Sequence, residues 1–135
     1  GGENSGFNWI EPRTNRVYRI LAEEGNIKRL PTNSVQSIFV DDTGLIWIGT
    51  FNNGVYQLDN RKKKFKNHVI TSGNHSFFNT EVRSFAEDKT GDVWIGYYGF
   101  GLAKIVAGTK SVQRTDQINS KLTNKNVTSL IYDRR

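Results

Sequence analysis

A stretch of fifteen residues occurs twice in this chain. Val35-Gln36-Ser37-Ile38-Phe39-Val40-Asp41-Asp42-Thr43-Gly44-Leu45-Ile46-Trp47-Ile48-Gly49 returns as Val82-Arg83-Ser84-Phe85-Ala86-Glu87-Asp88-Lys89-Thr90-Gly91-Asp92-Val93-Trp94-Ile95-Gly96, so Trp47 and Trp94 lie 47 residues apart. A third copy begins at Val127-Thr128-Ser129-Leu130-Ile131-Tyr132-Asp133. The segment after each Trp recurs too: Gly54-Val55-Tyr56-Gln57-Leu58 matches Gly101-Leu102-Ala103-Lys104-Ile105, and Gly6-Phe7-Asn8-Trp9-Ile10 matches both. A period of this length restricts the chain to repeat architectures, in which each unit buries its apolar face against the next.

The local pattern inside each copy is that of β-structure. Short runs of Val, Ile, Phe, Tyr and Trp alternate with Gly, Asn and Asp turn residues. In the fullest copy the strands fall near 35–40, 45–50, 55–59 and 64–70, with Asp41-Asp42-Thr43-Gly44 as the first turn. Gly44 and Gly91 suit a turn position of positive φ. Trp47 and Trp94 serve as apolar anchors between layers. No segment has apolar residues at sustained helical spacing.

Four short antiparallel strands repeated every 40–50 residues describe a β-propeller blade. The fold class is therefore all-β, a partial propeller of two to three blades, with a stacked β-solenoid as the runner-up. Residues 1–32 end one blade, 33–79 and 80–124 are full repeats, and 125–135 start another. Propellers close with about 4–8 blades, so the chain reads as a piece of a larger protein. Blade faces awaiting neighbours predict self-association or exchange between copies.

Composition removes several functions. The 135 residues contain 19 Lys plus Arg and 13 Asp plus Glu, for a net charge of +6. There is no Cys, which removes disulfides, thiol nucleophiles and thiolate metal sites, and no apolar run long enough to span a bilayer. The one dense basic cluster, Arg61, Lys62, Lys63, Lys64 and Lys66, sits between two strands, where a solvated turn accounts for it. Nothing resembles a nucleic-acid motif, so no nucleic-acid partner is expected; the charge suits acidic sugars or an anionic surface at least as well.

Catalytic signatures are weak. His68 and His75 are seven residues apart with no third ligand at suitable spacing, so no metal is expected. Asp41, Asp42 and Asp88 occupy repeat-determined turns, where Asp satisfies backbone amides, rather than a glycosidase carboxylate pair. Gly96-Tyr97-Tyr98-Gly99-Phe100-Gly101 lacks the Lys-Ser/Thr ending and the helix of a phosphate loop. No cofactor is implied. The sequons at Asn74 and Asn126 are short enough to arise by chance.

Up-and-down strands place their connections on two opposite faces. One face carries Asp41-Asp42-Thr43 and the Arg61–Lys64 turn. The other carries Thr32-Asn33-Ser34 with Phe51-Asn52-Asn53, then Asn79-Thr80-Glu81 with Tyr97-Tyr98-Gly99-Phe100. Sugars bind by stacking on aromatic rings and hydrogen-bonding to amides and charged groups. Phe51, Asn52, Asn53, Arg83, Tyr97 and Tyr98 bring that chemistry to one rim as candidate ligand-binding residues. The same aromatics could instead plug gaps between blades, and Arg83 could pair with Glu81 or Glu87.

The sequence resembles the two-component regulator propeller repeat. Val35, Ile38, Asp41, Gly44, Ile46, Trp47, Ile48, Gly49, Thr50 and Gly54-Val55 match its pattern. Val82, Phe85, Asp88, Gly91, Val93, Trp94, Ile95, Gly96 and Gly101-Leu102 match it again, with Tyr97 replacing the usual Thr. The resemblance implies the periplasmic sensor region of an inner-membrane hybrid histidine kinase, non-catalytic in this segment. Its expected partners are an oligosaccharide ligand, the remaining propeller blades and a second sensor subunit in a homodimer, with membrane contact only through the parent protein. The phospho-accepting His would lie elsewhere. A propeller-based polysaccharide lyase or glycosidase, or a protein-interaction scaffold, is the alternative.

Overall fold

The computed structural model describes residues 4–23, 29–59, 61–62, 64–68, 71–72, 75–76, 80–109 and 112–133. The first full repeat forms β3 (Val35–Val40), β4 (Ile46–Thr50), β5 (Val55–Asp59) and β6 (Lys64–His68), an antiparallel sheet in chain order. The second forms β9 (Val82–Glu87), β10 (Val93–Tyr97), β11 (Gly101–Ile105) and β12 (Val112–Arg114) in the same order. A hairpin of β1 (Phe7–Glu11) and β2 (Arg16–Ile20) precedes them, and a small hairpin of β7 (Thr71–Ser72) and β8 (His75–Ser76) lies between. The expected strand boundaries agree to within a residue or two, except that residues 69 and 70 lie outside those described.

Two apolar layers join these sheets. Phe7, Leu30, Val35, Ile48, Tyr56 and Leu58 are buried between the β1–β2 hairpin and the first blade. Trp47 and Val55 of the first blade pack with Val82, Phe85, Val93, Ile95, Ala103 and Ile105 of the second. Fully burying a side chain of this size contributes about 1.5–3 kcal/mol, so the interface between blades holds the fold together. The rings of Phe39 and Phe85 stack across it at 6.4 Å.

Glycine permits the close approach. A Cβ on Gly49 would lie against Ser37 Oγ and only 2.5 Å from Val82 Cγ1. Ser37 Oγ donates to the Val82 carbonyl at 3.0 Å, tying the second blade to the first. Val127 takes the same place beside Gly96, and its amide donates to the Tyr97 carbonyl at 2.9 Å. Residues 127–133 thus run beside the second blade as Val82 and its successors run beside the first.

One element departs from expectation. A single helical turn, α1 (Asp116–Asn119), follows β12 and brings Asn119 against the β11 edge. Asn119 Oδ1 accepts from the Leu102 amide at 2.7 Å, and its Nδ2 donates to the Leu102 carbonyl at 2.8 Å. The turn is too short for apolar periodicity, so the sequence carries no sign of it.

Candidate functional site at the blade rim

The rim is built where β9 meets β10. Val82 pairs with Tyr97 and Ser84 with Gly96, so Arg83 has no opposite residue and forms a β-bulge. A bulge re-aims the side chain of its extra residue. The Arg83 guanidinium lies 5.6 Å from the centre of the Tyr98 ring, and its Nη2 is 2.7 Å from Glu81 Oε1. The Tyr98 amide donates to the Glu81 carbonyl at 3.0 Å, fixing the ring's loop to the segment that leads into β9. Cation–π contact at such sites contributes about 0.5–1 kcal/mol.

The first blade repeats this framework with neutral groups. Gln36 stands at the corresponding bulge, between the Val35–Thr50 and Ser37–Gly49 pairs. The Phe51 amide donates to the Ser34 carbonyl at 3.1 Å, as Tyr98 does to Glu81. Phe51 is 44% exposed and Asn52 is exposed beside it. Asn53 is half-buried, its amide held by Thr50 Oγ1 at 3.0 Å. Because Val82 lies under Gly49, the Glu81–Arg83 segment and the loop following Thr50 share one rim.

Tyr97 does not belong to that surface. It is 1% exposed and lies in the core with Phe85, Ile95 and Ala103, where burial pushes its hydroxyl pKa up. Tyr98, next in sequence, is 50% exposed. The physical reason is position: Tyr97 stands where the first copy has Thr50, and that side chain is also fully buried. The rim candidates therefore reduce to Phe51, Asn52, Asn53, Arg83 and Tyr98, with Glu81 added through its ion pair.

The turns on the opposite face are organised differently. Asp88 Oδ1 accepts from Thr90 Oγ1 at 2.6 Å and from the amides of Thr90 and Asp92, while Oδ2 accepts from the Trp94 indole at 2.8 Å. Desolvation raises its pKa, but these hydrogen bonds outweigh it and hold the carboxyl at about 2. Asp41 makes the corresponding bonds to Thr43, Leu45 and Trp47. The structural role expected for these carboxylates is thus visible, and the indole partner is an addition. An open cleft of about 270 Å³ lies between Phe39, Phe85 and Ile131.

The basic turn is partly internally balanced. Arg61 Nε and Lys62 Nζ approach Asp59 at 3.5 and 3.7 Å. Asn60 and Lys63 fall outside the described residues. His68 is 4% exposed, its ring 5.0 Å from that of Trp47; His75 lies in β8, where its side chain is not described. Among the described residues, no three His, Cys, Asp or Glu side chains converge as a metal site. No helix among them is long and apolar enough to cross a membrane.

Comparison with known proteins adds a family match over two segments. The model of the two-component regulator propeller matches residues 29–52 and 76–99, segments that take in β3 and β4 and then β9 and β10. No curated protein matches the chain. Among solved structures, the extracellular domain of BT3049 from B. thetaiotaomicron, described as a hybrid two-component system, superposes with a TM-score of 0.67 at 22% identity. That of BT4673 from the same organism, described likewise, gives 0.67 at 24% identity. PorZ of Porphyromonas gingivalis, described as a surface component of the type-IX secretion system, gives 0.63 at 18%. These matches cover 83%, 84% and 84% of this chain but only 15%, 15% and 17% of the others, and at such identity the likeness is one of fold. Matched segments and blade geometry coincide: residues 29–52 and 76–99 match the two-component regulator propeller repeat.

Proposed function

We propose that this chain is a non-catalytic ligand-sensing segment in the periplasmic region of a hybrid two-component histidine kinase, and that it detects an oligosaccharide at the rim. The observation that carries the reading is the bulge at Arg83, which sets a guanidinium and a carboxylate beside a half-exposed tyrosine ring. That combination stacks on the apolar face of a sugar and hydrogen-bonds its hydroxyls. The family match and the fold shared with extracellular domains of hybrid two-component systems support the sensor role. Binding shifts the relative placement of two subunits across the membrane only by its differential affinity for the two arrangements.

A scaffold role is the second reading, supported by the fold shared with PorZ. The deciding experiment replaces Tyr98 and Arg83 by Ala in the complete protein and measures glycan-induced kinase output. The sensor reading expects a folded receptor with no response. An unchanged response removes the rim from the mechanism.

A further inference from the structure

The net charge of +6 invites an acidic ligand. At the rim, however, the cation is already answered. Arg83 is held at 2.7 Å by Glu81, whose side chain is 11% exposed against 39% for Arg83, so the carboxylate sits beneath the guanidinium. The corresponding positions of the first copy, Ser34, Gln36 and Phe51, carry no charge. The exposed pair Arg61 and Lys62 lies on the opposite face, in the β5–β6 turn.

We infer that the Glu81–Arg83 pair selects neutral sugars over acidic ones, an inference that rests on the rim reading above. A neutral sugar hydroxyl can accept from the outward guanidinium N–H groups of Arg83, whose charge the Glu81 carboxylate beneath already offsets. A uronate or sulfate group only accepts. It would gain from Arg83 but lie within a few ångströms of Glu81, where like charges repel. The half-exposed Tyr98 ring supplies stacking surface that is indifferent to ligand charge. Selectivity thus falls on the mostly buried Glu81 side chain, whereas the Tyr98 loop is bonded to the Glu81 main-chain carbonyl.

The test uses arrays of neutral gluco-, galacto- and manno-oligosaccharides beside galacturonate oligomers, at low ionic strength. The chain is expected to be retained on neutral sugars. E81Q keeps a hydrogen-bonding group of the same shape and should bind galacturonates about tenfold more tightly than the parent. Stronger retention of the parent on galacturonates, or an unchanged preference in E81Q, overturns the inference while leaving the rim as a sugar site. Retention on neither array, or retention that Y98A does not alter, overturns the rim reading itself.

Discussion

The indole Nε1 of Trp47 donates to Asp41 Oδ2 at 2.7 Å, and Trp94 repeats the bond to Asp88 at 2.8 Å. The same carboxylate that closes the first turn thereby also ties down the Trp of the next strand. Asp41→Ala removes three turn bonds and leaves a buried indole N–H without its acceptor. An orphaned buried donor costs about 1–3 kcal/mol, and Trp47 is 3% exposed while Trp94 is only half-buried. Urea unfolding followed by Trp fluorescence should show D41A losing about 3 kcal/mol and D88A clearly less.

Glycine substitutions separate two physical causes. Gly49→Ala would drive a methyl into Ser37 Oγ and Val82 across the blade interface. Overpacking of this kind costs about 1–3 kcal/mol, at the upper end where backbone must move. Gly44 has φ +82 with nothing within 4 Å of its Cβ position, so Gly44→Ala carries only the left-handed backbone penalty of about 1–2 kcal/mol. The discriminating variant is Ser37→Gly, which removes the hydroxyl. It should recover part of the G49A loss and none of the G44A loss, measured as shifts in urea midpoint.

What could be read from the sequence divides along the same physical lines. Period, turn residues and apolar alternation are local properties, so the strands and the blade order follow from them. The bulge at Arg83 is not local: it occurs where Val82 packs against Gly49 of the other blade and the Tyr98 amide bonds to the Glu81 carbonyl. Tyr97 and Tyr98 look alike in sequence, although the repeat register that aligns Tyr97 with the buried Thr50 separates the strand-end ring from the exposed one. In the second copy Leu45 and Gln57 are replaced by Asp92 and Lys104, which form an ion pair at 2.6 Å with Lys104 Nζ 5.6 Å from the Trp94 ring centre. The exchange is visible in the aligned repeats, but only the β10–β11 pairing shows that the two changes compensate each other.

Tyr97 and Tyr98 should therefore behave oppositely. Truncating a large buried aromatic costs about 3–5 kcal/mol, so Tyr97→Ala should unfold or nearly unfold the chain. Tyr98→Ala removes a half-exposed ring and one cation–π contact, and should change stability by no more than about 1 kcal/mol. Paired thermal melts of the two variants decide the matter. Equal losses would mean that both rings are structural and that the rim offers no aromatic platform.

His68 gives the fold a specific acid sensitivity. Burial against Trp47, with Lys66 nearby, lowers its pKa to about 4 from an ordinary 6.5. The unfolded chain then binds a proton more readily than the folded one, so stability falls as pH drops from 6.5 towards 4 and is unaffected above that window. The accumulated loss is about 3 kcal/mol by pH 4, from the difference between the two pKa values. Asp88, held at about 2, acts below this: its stabilisation is present above about 4 and is lost as pH falls towards 2, and Asp92, also lowered by its bonds to Lys104 and Ala107, adds to the loss in the same direction. His68→Gln should therefore flatten the urea midpoint between pH 6.5 and 4.5 and leave the steeper acid limb in place. A slope unchanged by the substitution would assign the upper window to other groups.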